Sequence, residues 1–285
     1  MKRFCVPVIV FASAVCLIRP ALADAQQRPL VTEDPESIGA GRVLIEGGFE
    51  YGRDEFLPAS GLSGNLLRVP VLGVSLGISS IAEVQIDGGL YDRLAVTNRE
   101  AAPLSDLLAF SGDTSASVED LVVATKLRLV PEAAGRPAVG VRFGTKLPVA
   151  PRDTGLGLGT TDFFAALLVG KTVQSIRMVG NVGVVMLSNP VAGGEHNPAL
   201  TLGASVARAL TNRFEVVGEI NGRGGAWGSD PPVGTESRAV LRLAGRYTYR
   251  LLRLDAGALV GMTARDPSIG FSLGFTYVFN GFTVP

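Results

Sequence analysis

The last strand-like stretch, Ser268–Phe279, limits what this chain can fold into more than any other. Every second residue from Ile269 to Phe279 is large and apolar, with Gly270, Ser272, Gly274, Thr276 and Val278 between them. A period of two describes a strand with two unlike faces. In a soluble sandwich the second face usually carries charge. Here it is small, as the crowded inside of a closed barrel requires. The twelve residues of 268–279, tilted by about 45°, also suffice to cross a bilayer, which needs about 9–11.

The opposite end of the chain predicts export. Lys2 and Arg3 precede an apolar run from Phe4 to Ile18, followed by Arg19, Pro20 and Ala21-Leu22-Ala23. A short basic region, an apolar segment and a small-x-small site describe a secretory signal, residues 1–23, cut after Ala23. The run falls short of the ~20 residues of a spanning helix, and Val15 before Cys16 fits a lipoprotein site poorly. Cleavage removes Cys5 and Cys16, so disulfides, thiol nucleophiles and thiolate metal sites are excluded. Losing Lys2, Arg3 and Arg19 leaves 23 basic against 26 acidic residues, a net of −3. That balance gives no ground for nucleic-acid binding.

Glycine is 36 of 285 residues, well above the usual ~7%, without a low-complexity tract to account for it. An exported chain that is 47% hydrophobic and has no further membrane-length helix can span a membrane only as a closed barrel. The expected fold is therefore all-β: a closed antiparallel transmembrane barrel over 41–279 in a Gram-negative outer membrane. Residues 24–40, with Pro29 and Pro35, read as a periplasmic lead-in or a segment tucked into the barrel mouth; 280–285 read as a short tail.

About twelve strands are expected. They fall near 43–53, 66–76, 82–91, 121–129, 139–147, 163–171, 176–186, 200–208, 214–223, 238–247, 252–262 and 269–279. The second contains Pro70 and is apolar on both faces. The polar stretch 92–117 reads as a loop. An even count returns the chain to its starting side, and short turns mostly alternate with longer loops, as in bacterial barrels.

Charge supports the same reading. The faces assigned to lipid carry no Asp, Glu, Lys or Arg except near strand ends, where a midplane basic residue would cost about 2–4 kcal/mol. Aromatics gather at two rims, Phe49, Tyr51 and Phe163 at one, Phe214, Tyr247, Phe275, Tyr277 and Phe279 at the other. Phe275, Tyr277 and Phe279 are also expected to present the last strand to the barrel assembly machinery. Facing the lumen are the acids Glu46, Glu50, Glu83, Asp87, Glu215, Glu219 and Asp255. The bases facing it are Lys126, Arg128, Arg142, Lys146, Arg238, Arg242, Arg246 and Arg253. They can prop the barrel as paired charges or set its selectivity.

The hairpin of the ninth and tenth strands makes that choice specific. A simple antiparallel register pairs Glu215 with Arg246 and Glu219 with Arg242, but Arg223 with Arg238. The first two pairs read as structural, worth about 0.2–1 kcal/mol each. The third opposes like charges and reads as an anion-attracting mouth, unless a carboxylate such as that of Asp230 comes between.

The remote alternative of an outer-membrane lipid-modifying enzyme, and metal binding, find little support. The single histidine, His196, lies near Ser188 in sequence, but strand spacing gives no pair facing the membrane together. No cofactor is expected, and the glycine-rich 155–159 stretch lies between strands rather than before a helix, so it does not read as a phosphate cradle.

Several segments resemble the outer-membrane barrel family labelled for the meta-pathway of phenol degradation. They are Arg28-Pro29-Leu30-Val31-Thr32-Glu33-Asp34-Pro35 with Gly41–Glu46, Glu119-Asp120-Leu121 with Lys126-Leu127-Arg128, Arg136–Pro148, and Gly157-Leu158-Gly159-Thr160-Thr161-Asp162. The resemblance implies a transporter-like barrel and passage of small molecules, aromatic ones in the sense that the label carries. The expectation is thus a narrow pore or facilitator for small solutes, aromatic or anionic, embedded in outer-membrane lipid. The competing expectation is a non-conducting structural barrel, plugged by residues 24–40 or 92–117. Small inward residues, Gly140, Gly144, Gly183, Gly203, Gly257, Gly261, Gly270 and Gly274, are expected to leave room for passage.

Overall fold

The computed structural model describes residues 28–225 and 231–284. The expected signal at 1–23, and Trp227 and Asp230 in the 224–236 loop, lie outside the described residues. The chain runs through β1 (Arg42–Leu57), β2 (Leu62–Gly77), β3 (Ala82–Gly89), β4 (Asp92–Arg99) and β5 (Thr114–Ser117). β6 (Leu121–Val130), β7 (Ala138–Leu147), β8 (Asp162–Val173), β9 (Ile176–Ser188) and β10 (His196–Ala209) follow. β11 (Phe214–Gly225), β12 (Arg238–Tyr249), β13 (Leu252–Gly261) and β14 (Ile269–Asn280) complete it. Every ladder is antiparallel, and β1 pairs with both β2 and β14, so the sheet closes on itself.

The closed ring contains twelve staves rather than fourteen. β2 pairs with β3 along Val71–Gly77 and with β4 along Leu62–Arg68. β5 pairs with β4 as β6 pairs with β3. β4 and β5 therefore continue β3 and β6 outward past a break. The break lies opposite Pro70, which has no N–H to give a ladder. There the Val69 N–H donates to the Tyr91 carbonyl and the Leu90 N–H to the Pro70 carbonyl.

The stretch 92–117 is thus partly strand, against the loop expected for it, and only 100–113 is irregular apart from one short 3-10 turn at Ser105–Leu107. Its period-two pattern is inverted, with Leu94 and Ser115 buried inside and Arg93 and Thr114 exposed outside. A stave that has left the lipid no longer needs an apolar exterior, which is why it does not look like a membrane strand. β1 is also longer than expected. Asp54, at φ 55°, adds one residue at a bulge in the β1–β2 ladder. The parity flips there, and Glu55 turns inward while Glu46 and Glu50 had done so from even positions.

The exterior is apolar, with Phe163, Val182, Leu202 and Leu243 exposed on it. Phe271 packs against Phe49 and Tyr51 at ring-centre distances of 5.2 and 5.3 Å, and Tyr277 stacks on Phe279 at 5.6 Å. These lie on the closing seam, where β1 and β14 pair from Arg42↔Asn280 to Arg53↔Ile269. The tail is tied to the same corner: the Gly281 and Phe282 N–H groups donate to the Gly41 carbonyl at 2.9 and 3.2 Å.

Replacing both Tyr277 and Phe279 by alanine should reduce the fraction of barrel that migrates as the compact form on a heat-modifiability gel. Deleting 280–285 should lower it far less, since only one rung of the β1–β14 ladder is lost. Equal assembly of both variants would contradict this.

Candidate functional site: the lumen and the segment inside it

Residues 28–41 lie within the barrel. They run around the inner wall and meet nearly every stave. A chain without secondary structure of its own must find partners for its backbone groups, and wall side chains supply them. Glu219 accepts the Val31 and Thr32 N–H groups, each at 2.8 Å. Asn181 accepts the Glu33 N–H at 2.6 Å and donates to its carbonyl at 2.8 Å. Glu83 accepts the Ile38 N–H at 2.8 Å, and Glu46 accepts that of Arg28 at 3.3 Å. The Arg28 carbonyl takes donors from Arg246 and Arg253, both at 3.1 Å.

Side chains of the segment complete the fit. Asp34 binds Arg177 through both oxygens, at 2.6 and 2.9 Å. Glu36 binds Arg128 at 2.6 Å. Leu30 packs on Ala207, Val217 and Ala244, and Ile38 on Leu44 and Val278. The inward glycines expected to leave a passage are in part what admits this segment. A Cβ at Gly203 would stand 3.0 Å from the Thr32 hydroxyl, and one at Gly140 would stand 3.2 Å from the Pro35 carbonyl oxygen.

Glu33 and Lys126 form the centre. The Lys126 ammonium is fully buried and lies 2.7 Å from Glu33 and 3.0 Å from Glu83. Gln85 donates to Glu33 at 3.0 Å, and the Arg142 guanidinium stands 3.6 Å away. Arg142 also reaches Asp87 at 3.2 Å. Removing one partner of a buried pair costs about 3–5 kcal/mol because the other charge stays buried.

Toward the end that carries β4 and β5 a second lattice crosses the lumen. Arg68 binds Glu50 at 3.0 Å and Glu55 at 3.4 Å. Arg242, from the far wall, binds Glu219 at 3.3 Å and stands 3.9 Å from Glu50. Lys146 joins Asp120 and Asp162 at 3.2 and 2.9 Å. The β11–β12 register places Glu215 opposite Arg246, Glu219 opposite Arg242 and Arg223 opposite Arg238, as the spacing predicts. The like-charged rung is relieved from an unexpected side. Arg238 binds Glu55 at 3.3 Å, while Arg223 donates to the Glu236 and Gly234 carbonyls, each at 3.2 Å.

Sequence reasoning placed the other wall charges inward but missed Glu33, Asp34, Glu36, Glu55, Arg68, Asp120, Asp162 and Arg177. One signal was available: three acids within four residues of the lead-in, facing a wall rich in Lys126, Arg128 and Arg142. Glu55 was hidden by the bulge, and Arg68 by the apolar surroundings of β2.

Above the lattice, Leu62, Leu66 and Leu94 form a buried cluster against Leu108, Phe110 and Leu156. Beside it opens a pocket of about 310 Å3, lined by Ser60, Leu62, Arg99, Ser105, Leu108 and Phe110 among others. The Arg99 guanidinium lies 4.6 Å from the Phe110 ring centre. Ser188 and His196 do come together on the outward face, correcting the spacing argument: they are opposite in the β9–β10 ladder, with Oγ and Nδ1 3.2 Å apart. The Ser188 hydroxyl is directed to the Thr161 carbonyl, so its proton is not aimed at the imidazole.

No family model matches the chain, and no curated protein matches it. Solved structures do. An outer membrane channel from Pseudomonas putida F1 superposes with a TM-score of 0.64 at 13% identity, over 86% of this chain and 98% of that one. The translocator domain of the autotransporter NalP from Neisseria meningitidis gives 0.48 at 11%, over 84% and 88%. LpxR from Salmonella typhimurium gives 0.43 at 12%, over 84% and 100%. The first of these establishes the outer-membrane barrel fold, and at such identities the likeness extends no further.

Two outcomes follow from the lumen geometry. Glu33→Ala should lower stability in detergent by about 3–5 kcal/mol, whereas Asp106→Ala on the outer loop should leave it within about 0.5 kcal/mol. Equal denaturant midpoints would refute the central role of the pair. Acid should also loosen the segment through Glu132, in the turn after β6, which binds Arg177 beside Asp34. Burial alone would push the Glu132 carboxyl up, but the Thr172 N–H and the Arg177 guanidinium outweigh it and hold it below the usual range. A depressed carboxylate stabilises above its unfolded value of roughly 4.3 and loses that contribution as pH falls through the folded one. Melting temperature should therefore drop below about pH 4 in the parent, and Glu132→Gln should flatten that part of the profile.

Proposed function

We propose that the chain is a narrow outer-membrane channel or facilitator for small solutes, with residues 28–41 as its constriction. The observation that carries this reading is the polar lumen. Inside a wall whose exterior is apolar, the interior holds Glu46, Glu83, Lys126, Glu219, Arg246 and Arg253, all buried. Outer-membrane barrels keep a polar interior whether it is open or plugged. A lumen of exchangeable ion pairs can in addition hand a polar solute from one partner to the next. Passage requires no covalent step and no cofactor.

The solute class follows from two features. Arg238 and Arg242 are paired with carboxylates, but Arg223 in the upper lumen meets only the Glu236 and Gly234 carbonyls among the described residues and is where an anion would be drawn. The pocket beside Phe110 sets Leu62, Leu108 and the Phe110 ring beside the charged Arg99 and Glu100 and three serines, and suits a small aromatic solute that carries polar groups. The resemblance to the phenol meta-pathway barrels points toward the same class. In this reading a signal over 1–23 directs export, and the assembly machinery inserts the barrel through β14.

One observation favours a second reading. The lead-in is held by ion pairs at Glu33, Asp34 and Glu36, and a segment so anchored could make a non-conducting, structural barrel. Liposome swelling separates the two. The channel reading expects slow uptake of small solutes by the parent protein and faster uptake after deletion of residues 24–37. No uptake by either protein, at any solute size, would leave the structural reading. For selectivity, Arg223→Glu with Arg238→Glu should move the reversal potential in planar bilayers toward cation preference. An unchanged reversal potential with conductance intact would remove the upper arginines from any filter.

A further inference from the structure

The lipid-facing wall of β10–β13 is indented. An open groove of about 800 Å3 crosses it, lined by Val206, Val216, Gly218, Leu243, Gly245 and Ala256 among others. The ladders set these residues in two adjacent rows. One is Val206↔Gly218↔Leu243↔Ala258, and the row nearer the periplasmic end is Arg208↔Val216↔Gly245↔Ala256. The indentation arises because Gly218, Gly245 and Ala256 are small while Leu243, Val206 and Val216 stand up around them. Phe214, from the next row down, lays its ring against Gly245, where a Cβ would be 3.3 Å from two ring carbons.

The same corner carries unusual charge. Arg208 is exposed on the outward face of β10, in the lower row of the groove, and has no ion-pair partner among the described residues. Arg213 and Arg250, in the two turns below, both lie over the Tyr249 ring, at 5.6 and 5.4 Å from its centre. Neither meets a carboxylate among the described residues. The acids of these staves are turned away: Glu215 and Glu219 pair with Arg246 and Arg242 inside the lumen, and Asp255 is buried there. A guanidinium on the lipid face is tolerated where its stem can reach back to the headgroup level. Its planar donors match a phosphate.

We propose that this groove and its arginines bind one anionic phospholipid of the periplasmic leaflet, an acyl chain lying in the groove and the phosphate among Arg208, Arg213 and Arg250. Charge decides for this occupant. A second copy of the barrel docked here by two-fold symmetry would bring like-charged arginines together. A zwitterionic lipid would leave most of the positive charge uncompensated.

Native mass spectrometry of the full-length barrel released from mild detergent tests this, with phosphatidylglycerol, phosphatidylethanolamine and inorganic phosphate titrated separately. Each basic residue near a charged bilayer surface is worth roughly five-fold in binding, so the triple variant R208Q/R213Q/R250Q should need at least ten times more phosphatidylglycerol for one retained lipid. The groove-filling variant G245L/A256L should lose retention with its arginines intact, and heat-modifiability should show both variants folded. If the triple variant folds poorly, R208Q alone carries the test with an expected loss of about five-fold. Equal retention of phosphatidylglycerol and phosphatidylethanolamine by the parent would overturn the proposal. So would unchanged retention in the variants, displacement of the lipid by inorganic phosphate at equal concentration, or a dimer as the main species.

Discussion

A fully buried ammonium between two carboxylates holds the inside of this barrel together. Lys126 lies within 3.0 Å of both Glu33 and Glu83, and only one of the three belongs to the lead-in. Without Glu33, Lys126 and Arg142 would be two cations on adjacent staves sharing Glu83 and Asp87. With it, the wall charges and the segment satisfy each other. The same exchange repeats around the ring: Asp34 with Arg177, Glu36 with Arg128, and the segment's N–H groups with Glu46, Glu83 and Glu219. Wall and lead-in are one polar structure built from opposite halves.

That dependence explains why the lumen needs so few apolar contacts. Its buried hydrophobic clusters are small, such as Leu30 with Ala207, Val217 and Ala244. Closure of the ladder carries the stability, and paired charges that water reaches poorly fix where the segment lies. Such pairs are weak evidence for stability but strong determinants of geometry. They also suit a constriction, since the segment is attached by exchangeable bonds and by close fits at Gly140 and Gly203 rather than by a deep apolar core.

Much of the fold was legible because lipid enforces a strict period of two. The staves from β6 to β14, the inward direction of Lys126, Arg142 and Glu219, and the β11–β12 register could all be read from that period. What was not legible lies where the constraint lapses. β4 and β5 have left the lipid, so their exteriors are polar. Glu55 sits beyond a one-residue bulge that flips parity. The path of residues 28–41 has no period, and its partners lie up to 245 positions away, as with Arg28 and the Leu273 carbonyl. The meeting of Ser188 with His196 is likewise a product of register, not of spacing along the chain.

The central claim is that the lead-in occupies the lumen of the folded protein, and a disulfide tests it most directly. Thr32 and Gly203 are suited to it, because a Cβ at 203 would lie 3.0 Å from the Thr32 hydroxyl oxygen, the place a cysteine sulfur would take. Both native cysteines, Cys5 and Cys16, precede the expected cleavage site, so the pair would stand alone in the mature chain. In membranes, Thr32→Cys with Gly203→Cys should form the cross-link on mild oxidation and shift the unfolded protein on a non-reducing gel until reduced. Failure to cross-link, with both cysteines open to a water-soluble maleimide, would place the segment outside the lumen and contradict the account.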